Sequence, residues 1–423
     1  MKSVIIFLII FSIIVVIHEF GHYYFARKAG ILVREFALGM GPKIYAKQAK
    51  DGTTYTIRML PMGGYVRLAG LNEEDELEPG MAVGLQFDAD GNVSQIDTRD
   101  QLSMQDLPVR IHAADLAEAM QVDVVQEHSE EIQSYAVSKT AKIIEKDGTF
   151  IPVAPIERRY ESASVWDKIK TNIAGPMNNF ILSILVFTLI AFMIGKKPGN
   201  QYQILSVVED SPAQAAELKA GDILLTLDGK TVDVNTEISD ITNNKIGKPL
   251  AMTVQRKDQT VKTTITPYGV KDEATGKEVA RLGIEFTLKS VDMTLLDKLT
   301  YGFVQSFVIV KEVLSVILGW FTQGFKVNDL GGPVAMAQAT HQVVNHGFVS
   351  ILLFMGAISA NLGVMNLLPI PALDGGKIVL NILEALRGKP LSQEKEGIIT
   401  LIGVGILLIL MVLVTWNDIM RLF

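Results

Sequence analysis

The chain is 423 residues long, enough for two or three domains, and 48% of it is hydrophobic. Its mean hydropathy of +0.29 is high for a purely soluble protein. A formal charge of −7 argues against nucleic acid as the main partner. With no cysteine, disulfides, thiolate ligands and a sulfur nucleophile are excluded, so a bound metal must sit on His, Asp, Glu or backbone oxygen.

The first element is an apolar run of about Val4–Ala26, closed by Arg27, Lys28 and Gly30. No small-x-small cleavage site follows it, so it reads as a retained membrane helix rather than a signal peptide. Within it stands HEFGH, residues 18–22. On a helix His18 and His22 are i and i+4 and point the same way, with Glu19 on an adjacent face. This is H-E-x-x-H, two metal ligands with a carboxylate placed as general base. Burying one charged side chain at the centre of a span costs roughly 2.5–3.5 kcal/mol on insertion scales, so such groups persist where they face a site.

A soluble stretch follows. In "KIYAKQAKDGTTYTIRML", Asp51-Gly52 separates two β-prone runs, a hairpin signal. "LNEEDELEPG" is an acidic loop, and "FDADGNVSQI" is a turn between strands. The latter has its glycine at the fourth loop position, not the sixth, and Arg99 at the twelfth, so calcium is rejected there. A second span covers about Ile173–Ile194, between Lys168 and Lys170 on one side and Lys196 and Lys197 on the other. Then "ILSVVEDSPAQAAELKAGDILLTLDGKTV" reads strand, helix, strand, turn, and resembles a PDZ domain, which binds peptides by strand addition. An apolar stretch at Leu299–Phe321 carries Lys311 and Glu312 at its middle. A third span, about Phe348–Leu368, is ended by Pro369 and Pro371, and a fourth runs about Ile398–Val414 with Trp416 as an interfacial anchor.

A catalytic zinc has three protein ligands and one water, so a third ligand is needed. Asp374 in "NLLPIPALDGG" follows two prolines and precedes two glycines at the end of an apolar helix. Irregular backbone at membrane depth is tolerated where it lines a protein cavity, and an Asp there reaches a metal held by another helix.

HEFGH, N-x-x-P-x-P-x-L-D-G and the PDZ-like module together resemble the bacterial intramembrane site-2 zinc metalloproteases of the RseP/RasP/Eep group, over nearly the whole chain. "GPMNNF" is similar to that family's G-P-x-x-N element, and residues 39–66 to its membrane-associated β-hairpin and G-Y-V turn. One PDZ pattern is visible where some relatives have two. The resemblance implies zinc on His18, His22 and Asp374, with Glu19 catalytic. It implies substrate contacts from Asn366, Pro369, Gly64 and Tyr65, with Asn179 either doing the same or supporting the second helix. It implies as substrates transmembrane segments, anti-sigma factors, signal-peptide remnants or pheromone precursors.

The expected fold is therefore a polytopic α-helical membrane protein with four transmembrane helices, a membrane-associated β-hairpin and one extracytoplasmic PDZ-like α+β domain. The segments are 1–28 (first span), 29–171 (cytoplasmic hairpin and insertion), 172–196 (second span), 197–291 (PDZ-like), 292–346 (amphipathic interfacial helix and connector), 347–376 (third span), 377–396 (cytoplasmic loop) and 397–423 (fourth span). His22 and Asp374 must meet at one depth, so the first and third spans run the same way and 299–321 must not cross. Arg27, Lys28, Arg34, Lys43, Lys47, Arg58 and Arg67, then Arg158, Arg159, Lys168 and Lys170, and then Arg387, Lys389 and Lys395 mark the cytoplasmic segments. The N-terminus, PDZ-like module and C-terminus then lie outside a bacterial plasma membrane, with Lys196 and Lys197 a mild exception. Two other classes remain at this stage, a metal transporter and a non-catalytic PDZ scaffold. A transporter spreads its ligands along a path, whereas here they cluster beside a catalytic-type Glu.

Overall fold

The structure, a computed structural model, describes residues 2–49, 51–71, 77–126, 131–271 and 277–421, so residues 72–76 of the acidic loop lie outside it. The chain divides into two units, Met1–Ile190 with Thr300–Phe423, and Ala191–Leu299.

In the first unit, helix α1 spans Lys2–Lys28. Its many Ile and Val favour strands in water, but in hydrocarbon a segment must satisfy its own backbone hydrogen bonds, and a helix does so. Gly30, with φ +81°, turns the chain out of it. Strands β1 (Val33–Gln48) and β2 (Thr54–Leu68) follow. They form more than the simple hairpin expected over 39–66. Residues 43–48 pair back on 54–58 across Asp51-Gly52, while 35–38 pair with 64–67 on one side and 54–57 on the other.

The insertion after this sheet is a β-domain of β3 (Ala82–Phe87), β4 (Val93–Asp97), β5 (Leu107–Asp115), β6 (Gln121–Gln126), β7 (Ile132–Ile144) and β8 (Phe150–Pro152). The strand order is β4-β3-β5-β6-β7-β8, and a parallel β4–β7 pairing closes β3–β7 into a barrel. Val83, Leu85, Ile96, Val122 and Val124 fill its core. The turn before β8 fastens to the β1–β2 sheet: Lys43 pairs with Asp147 at 2.8 Å, Arg67 with Glu145 at 2.7 Å, and Thr54 Oγ1 donates to the Phe150 carbonyl at 2.8 Å. Helix α2 then runs Val165–Ile194, starting earlier than the expected Ile173.

The second unit contains β9 (Lys196–Val207), α3 (Pro212–Ala215), β10 (Ile223–Leu227), β11 (Lys230–Thr231), α4 (Ile238–Asn243), β12 (Leu250–Arg256), β13 (Gln259–Ile265), β14 (Tyr268–Lys271), β15 (Glu278–Arg281) and β16 (Ile284–Asp292). Its sheet has the order β13-β12-β10-β9-β16 over a core that includes Ile204, Leu224, Leu227 and Val254. Ser211 caps α3 by accepting from Gln214 N, with Pro212 in the first turn, so the Ser-Pro signal opens a helix, though one of only 4 residues.

Back in the first unit come α5 (Leu295–Gln323), α6 (Pro333–Asn345), α7 (Phe348–Asn366), α8 (Asp374–Arg387) and α9 (Gln393–Met420). The expected loop 377–396 is thus mostly helix, and Asp374 begins a helix rather than ending one. Among the described residues, five helices are long and apolar enough to cross a membrane: α1, α2, α5, α7 and α9. The protein is accordingly a multi-pass membrane protein. The fifth, α5, is the stretch expected to lie aside, and its mean hydropathy of 1.7 is the lowest of the set.

Close contacts set the helix directions. Asn178 of α2 donates to the Ile17 carbonyl at 2.9 Å, and Gly21 abuts Ala174, so α1 and α2 are antiparallel. Gly356 abuts Phe187 and Gly363 abuts Phe180, so α7 also runs against α2 and hence along α1. Gly302 of α5 abuts Ile184, and Ser306 Oγ bonds Ser183 Oγ at 2.8 Å. Beyond α5, Trp320 Nε1 donates to Asp329 at 3.2 Å, and the neighbouring Asn328 carbonyl accepts from Arg421 at 2.6 Å. The Ala335 amide of α6 donates to Asp418 at 3.0 Å. The α5–α6 connection is therefore fastened to the C-terminal end of α9.

Candidate metal centre

The centre is built where α1, α2 and the start of α8 meet. Small residues make the approach possible. A Cβ on Gly21 would stand 2.3 Å from the Ala174 carbonyl oxygen, and one on Gly175 would stand 2.3 Å from His22 Nε2. Pro176 lies inside α2 and lacks an N–H, which removes the helical partner of the Asn172 carbonyl.

Asp374 is brought in by strained backbone. Ala372 has φ +78°, a left-handed conformation that costs an L-residue about 1–2 kcal/mol. The turn after it is crowded: a Cβ on Gly375 would lie 2.2 Å from the Leu368 carbonyl oxygen, and one on Gly376 2.3 Å from that of Ile370. The glycines of L-D-G-G thus let the first turn of α8 pack against 367–370. Asp374 stands in that first turn, where the helix dipole favours a carboxylate.

Three donor atoms converge. His18 Nε2 is 3.2 Å from Asp374 Oδ2, His22 Nε2 is 3.4 Å from the same oxygen, and the two Nε2 atoms are 3.1 Å apart. Donors about 2.0 Å from a shared tetrahedral ion stand about 3.3 Å from one another, so the set fits a small cation bound by two imidazoles and one carboxylate. His22 Nδ1 donates to the Thr171 carbonyl at 2.7 Å, which leaves its Nε2 lone pair for a metal. Among the described residues this is the one His/Asp/Glu group spaced to hold an ion.

A cavity of about 260 Å³ opens on these atoms and is lined by His18, Glu19, His22, Tyr65, Asn366 and Asp374, together with Thr171, Asn172 and Lys377. Gly64 lies against α1: a Cβ there would be 3.7 Å from Glu19 Cγ and 2.7 Å from the Ala37 carbonyl oxygen. Of the residues singled out from the sequence, Pro369 is not on the cavity wall, and Asn179 is fully buried behind His18.

Tyr65 is held by Glu35. Its hydroxyl donates to Glu35 Oε2 at 2.8 Å, while Oε1 accepts from Arg58 at 2.7 Å and Thr56 at 2.5 Å. Burial, then this bond, pushes the Tyr65 hydroxyl above its ordinary range, so it stays a neutral donor.

A larger cavity of about 460 Å³ lies one helical turn further along α2 and α8, lined by Lys168, Asn381 and Glu384, and shares Leu71 with the first. At the joint, the Tyr160 hydroxyl accepts from Asn172 at 2.8 Å and from Asn381 at 3.1 Å. Burial pushes that hydroxyl up to about 12. Lys168 Nζ meets both Glu384 oxygens, at 2.8 and 3.0 Å.

Sequence reasoning missed Asn172, Lys377, Glu35 and Tyr160. Lys377 carries a findable signal, because it stands one turn after Asp374 on the same helix face. The others depend on packing between distant segments.

Comparison with known proteins places the chain in a family. The description "Peptidase family M50" matches residues 6–410. An Enterococcus faecalis protein named "Probable protease eep" is 44% identical over 427 residues, covering 100% of both chains. A Lactococcus lactis protein named as a candidate zinc metalloprotease is 43% identical over 437 residues, covering 100% of this chain and 99% of its own. Among solved structures, the PDZ domain of an SdrC-like protein from Listeria monocytogenes aligns at 22% identity with 22% of this chain and 92% of its own. Its TM-score of 0.19 is too low to carry the PDZ reading. The chain belongs to peptidase family M50 and is a metalloprotease of the Eep-related group.

Proposed function

We propose that the protein is a zinc-dependent endopeptidase that hydrolyses peptide bonds inside the bilayer. The observation that carries this is the convergence of His18, His22 and Asp374 within 3.1–3.4 Å of one another, with both histidines on α1, a helix apolar enough to cross a membrane, Asp374 at the start of α8, and Glu19 on the same cavity. His18 Nε2, His22 Nε2 and Asp374 Oδ2 hold the ion. Zinc supplies a Lewis acid that acidifies water and polarises the scissile carbonyl. Glu19 takes the proton of the attacking water and passes it to the leaving nitrogen.

A membrane helix hides its carbonyls in its own hydrogen bonds, so the substrate must unwind. The β1–β2 sheet beside Glu19 receives it as an added strand, with Tyr65, Gly64 and Asn366 against it. Pro369 shapes the turn that carries Asp374. The substrates are transmembrane segments such as those of anti-sigma factors, signal-peptide remnants or pheromone precursors. The second unit is a PDZ-like domain that takes peptides or holds back bulky ectodomains.

Four helices cross in this reading, α1, α2, α7 and α9. The N-terminus, second unit and C-terminus lie outside the cell, and the cavity opens toward the cytoplasmic side. Support comes from the basic residues that flank the cytoplasmic segments. Further support comes from the fastening of Asn328 and Ala335 to the far end of α9, which returns the chain after α5 to the side where α7 starts.

The test is cleavage of a tagged single-span reporter in proteoliposomes, with bound zinc quantified. Glu19→Gln is expected to lower cleavage at least about 100-fold while retaining zinc. Asp374→Ala is expected to lose both. Wild-type rates in Glu19→Gln would overturn the general-base role, and a wild-type protein that purifies without binding zinc would overturn the centre itself.

A further inference from the structure

An imidazole that binds a metal through Nε2 carries its proton on Nδ1, and that N–H needs an acceptor. His22 has one in the Thr171 carbonyl at 2.7 Å. Around His18 Nδ1 the group within reach is the Asn179 carboxamide, whose Nδ2 stands 3.2 Å away. Asn179 is fully buried, and its Oδ1 has no hydrogen-bond partner among the described residues. With Nδ2 toward the ring, the His18 proton is forced onto Nε2, the atom that faces Asp374 and His22. With Oδ1 toward the ring, the carboxamide accepts the Nδ1–H and frees Nε2. The two orientations have the same shape and differ only in which atom meets the ring.

We propose that Asn179 is a positioning residue for the metal centre: its carboxamide oxygen accepts the His18 Nδ1–H and holds His18 in the metal-binding tautomer. The assignment rests on the zinc reading above and departs from a substrate contact. The backbone fits the role. The Asn179 carbonyl accepts from Ser359 Oγ of α7 at 2.8 Å, which pins this turn of α2 and keeps the carboxamide aimed at α1. The two histidines are thus oriented from one helix, His22 by a backbone carbonyl and His18 by a side chain about two turns further along α2.

The experiment is zinc affinity of the purified full-length protein in detergent, by chelator competition, with the absorption spectrum of the cobalt-substituted protein as a second readout. Asn179→Leu keeps the size but removes the acceptor, and is expected to weaken zinc about 10–100-fold and to alter the cobalt spectrum. Asn179→Asp restores an acceptor and is expected to bind within a few-fold of wild type, or tighter. Ser359→Ala, which removes that pin but leaves the carboxamide acceptor in place, is expected to weaken zinc less than Asn179→Leu does. Wild-type zinc affinity in Asn179→Leu would overturn the proposal. So would equal weakening in Asn179→Leu and Asn179→Asp, because shape rather than the acceptor would then matter. Failure of the wild-type protein to bind zinc marks the different failure, that of the metal centre.

Discussion

The barrel β3–β7 and the β1–β2 sheet are neighbours in one unit, yet they differ in what they leave on the surface. The barrel closes on itself and takes Val83, Leu85, Ile96, Val122 and Val124 wholly out of contact with solvent. The β1–β2 sheet exposes Met40, Ile44, Tyr45, Ile57, Met59 and Leu60, each between 46% and 68%, and buries the carboxylate of Glu35 beneath Thr56, Arg58 and Tyr65. A water-facing β-domain hides its apolar side chains. A sheet that exposes a run of large apolar side chains and buries an ion pair suits an apolar surrounding, where that pair is cheaper satisfied within than left at the edge. The lesson is that a shared strand propensity does not imply a shared environment. The faces, not the elements, report where each region sits.

The comparison breaks most visibly at Glu35. Glu35→Ala leaves the mostly buried Arg58 guanidinium without its carboxylate, which costs about 3–5 kcal/mol. Hydrogen exchange at 54–67 should accelerate strongly while the barrel strands stay protected. Unchanged exchange there would mean that the buried ion does not organise the sheet.

A smaller effect is expected from a matched pair of apolar truncations. Leu85→Ala, in the closed core, should destabilise the barrel by about 2–5 kcal/mol, visible as faster proteolysis within 77–155. Ile57→Ala, on the exposed face of the sheet, should change detergent-state stability by less than about 0.5 kcal/mol. Equal effects would erase the polarity contrast.

The smallest effect concerns the joint between the two regions. Lys43 and Asp147 pair at 2.8 Å, but the Asp147 side chain is 52% exposed, so a double-mutant cycle of Lys43→Ala and Asp147→Ala should return about 0.2–1 kcal/mol, decreasing with salt. A coupling well above that range would make the barrel a rigid brace for the sheet rather than a loosely tied neighbour.

Much of the protein is legible in one dimension because the governing interactions are local. An apolar run near 20 residues forms a helix in hydrocarbon wherever it occurs, and the i, i+4 spacing of His18 and His22 places both rings on one side before any packing is known. Pro369, Pro371, Gly375 and Gly376 announce a broken backbone for the same local reason. Hydropathy alone does not count the crossings, because α5 passes the same length and composition test as the other four apolar helices. Its length and composition match a span, while its connection to α6 returns to the end of α9.

Tertiary structure alone decided what depends on distant segments meeting. The approach of α1 to α2 rests on Gly21 and Gly175, and the arrival of Asp374 on the left-handed Ala372. The same holds for the barrel closure through β4 and β7, the Glu35 cluster around Tyr65, and the turn of Asn179 toward His18 rather than toward the cavity. Residue types and their spacing set which groups are able to bind an ion. Whether their donor atoms reach 3.1–3.4 Å of one another is set by long-range packing, to which a sequence pattern of short period carries no register.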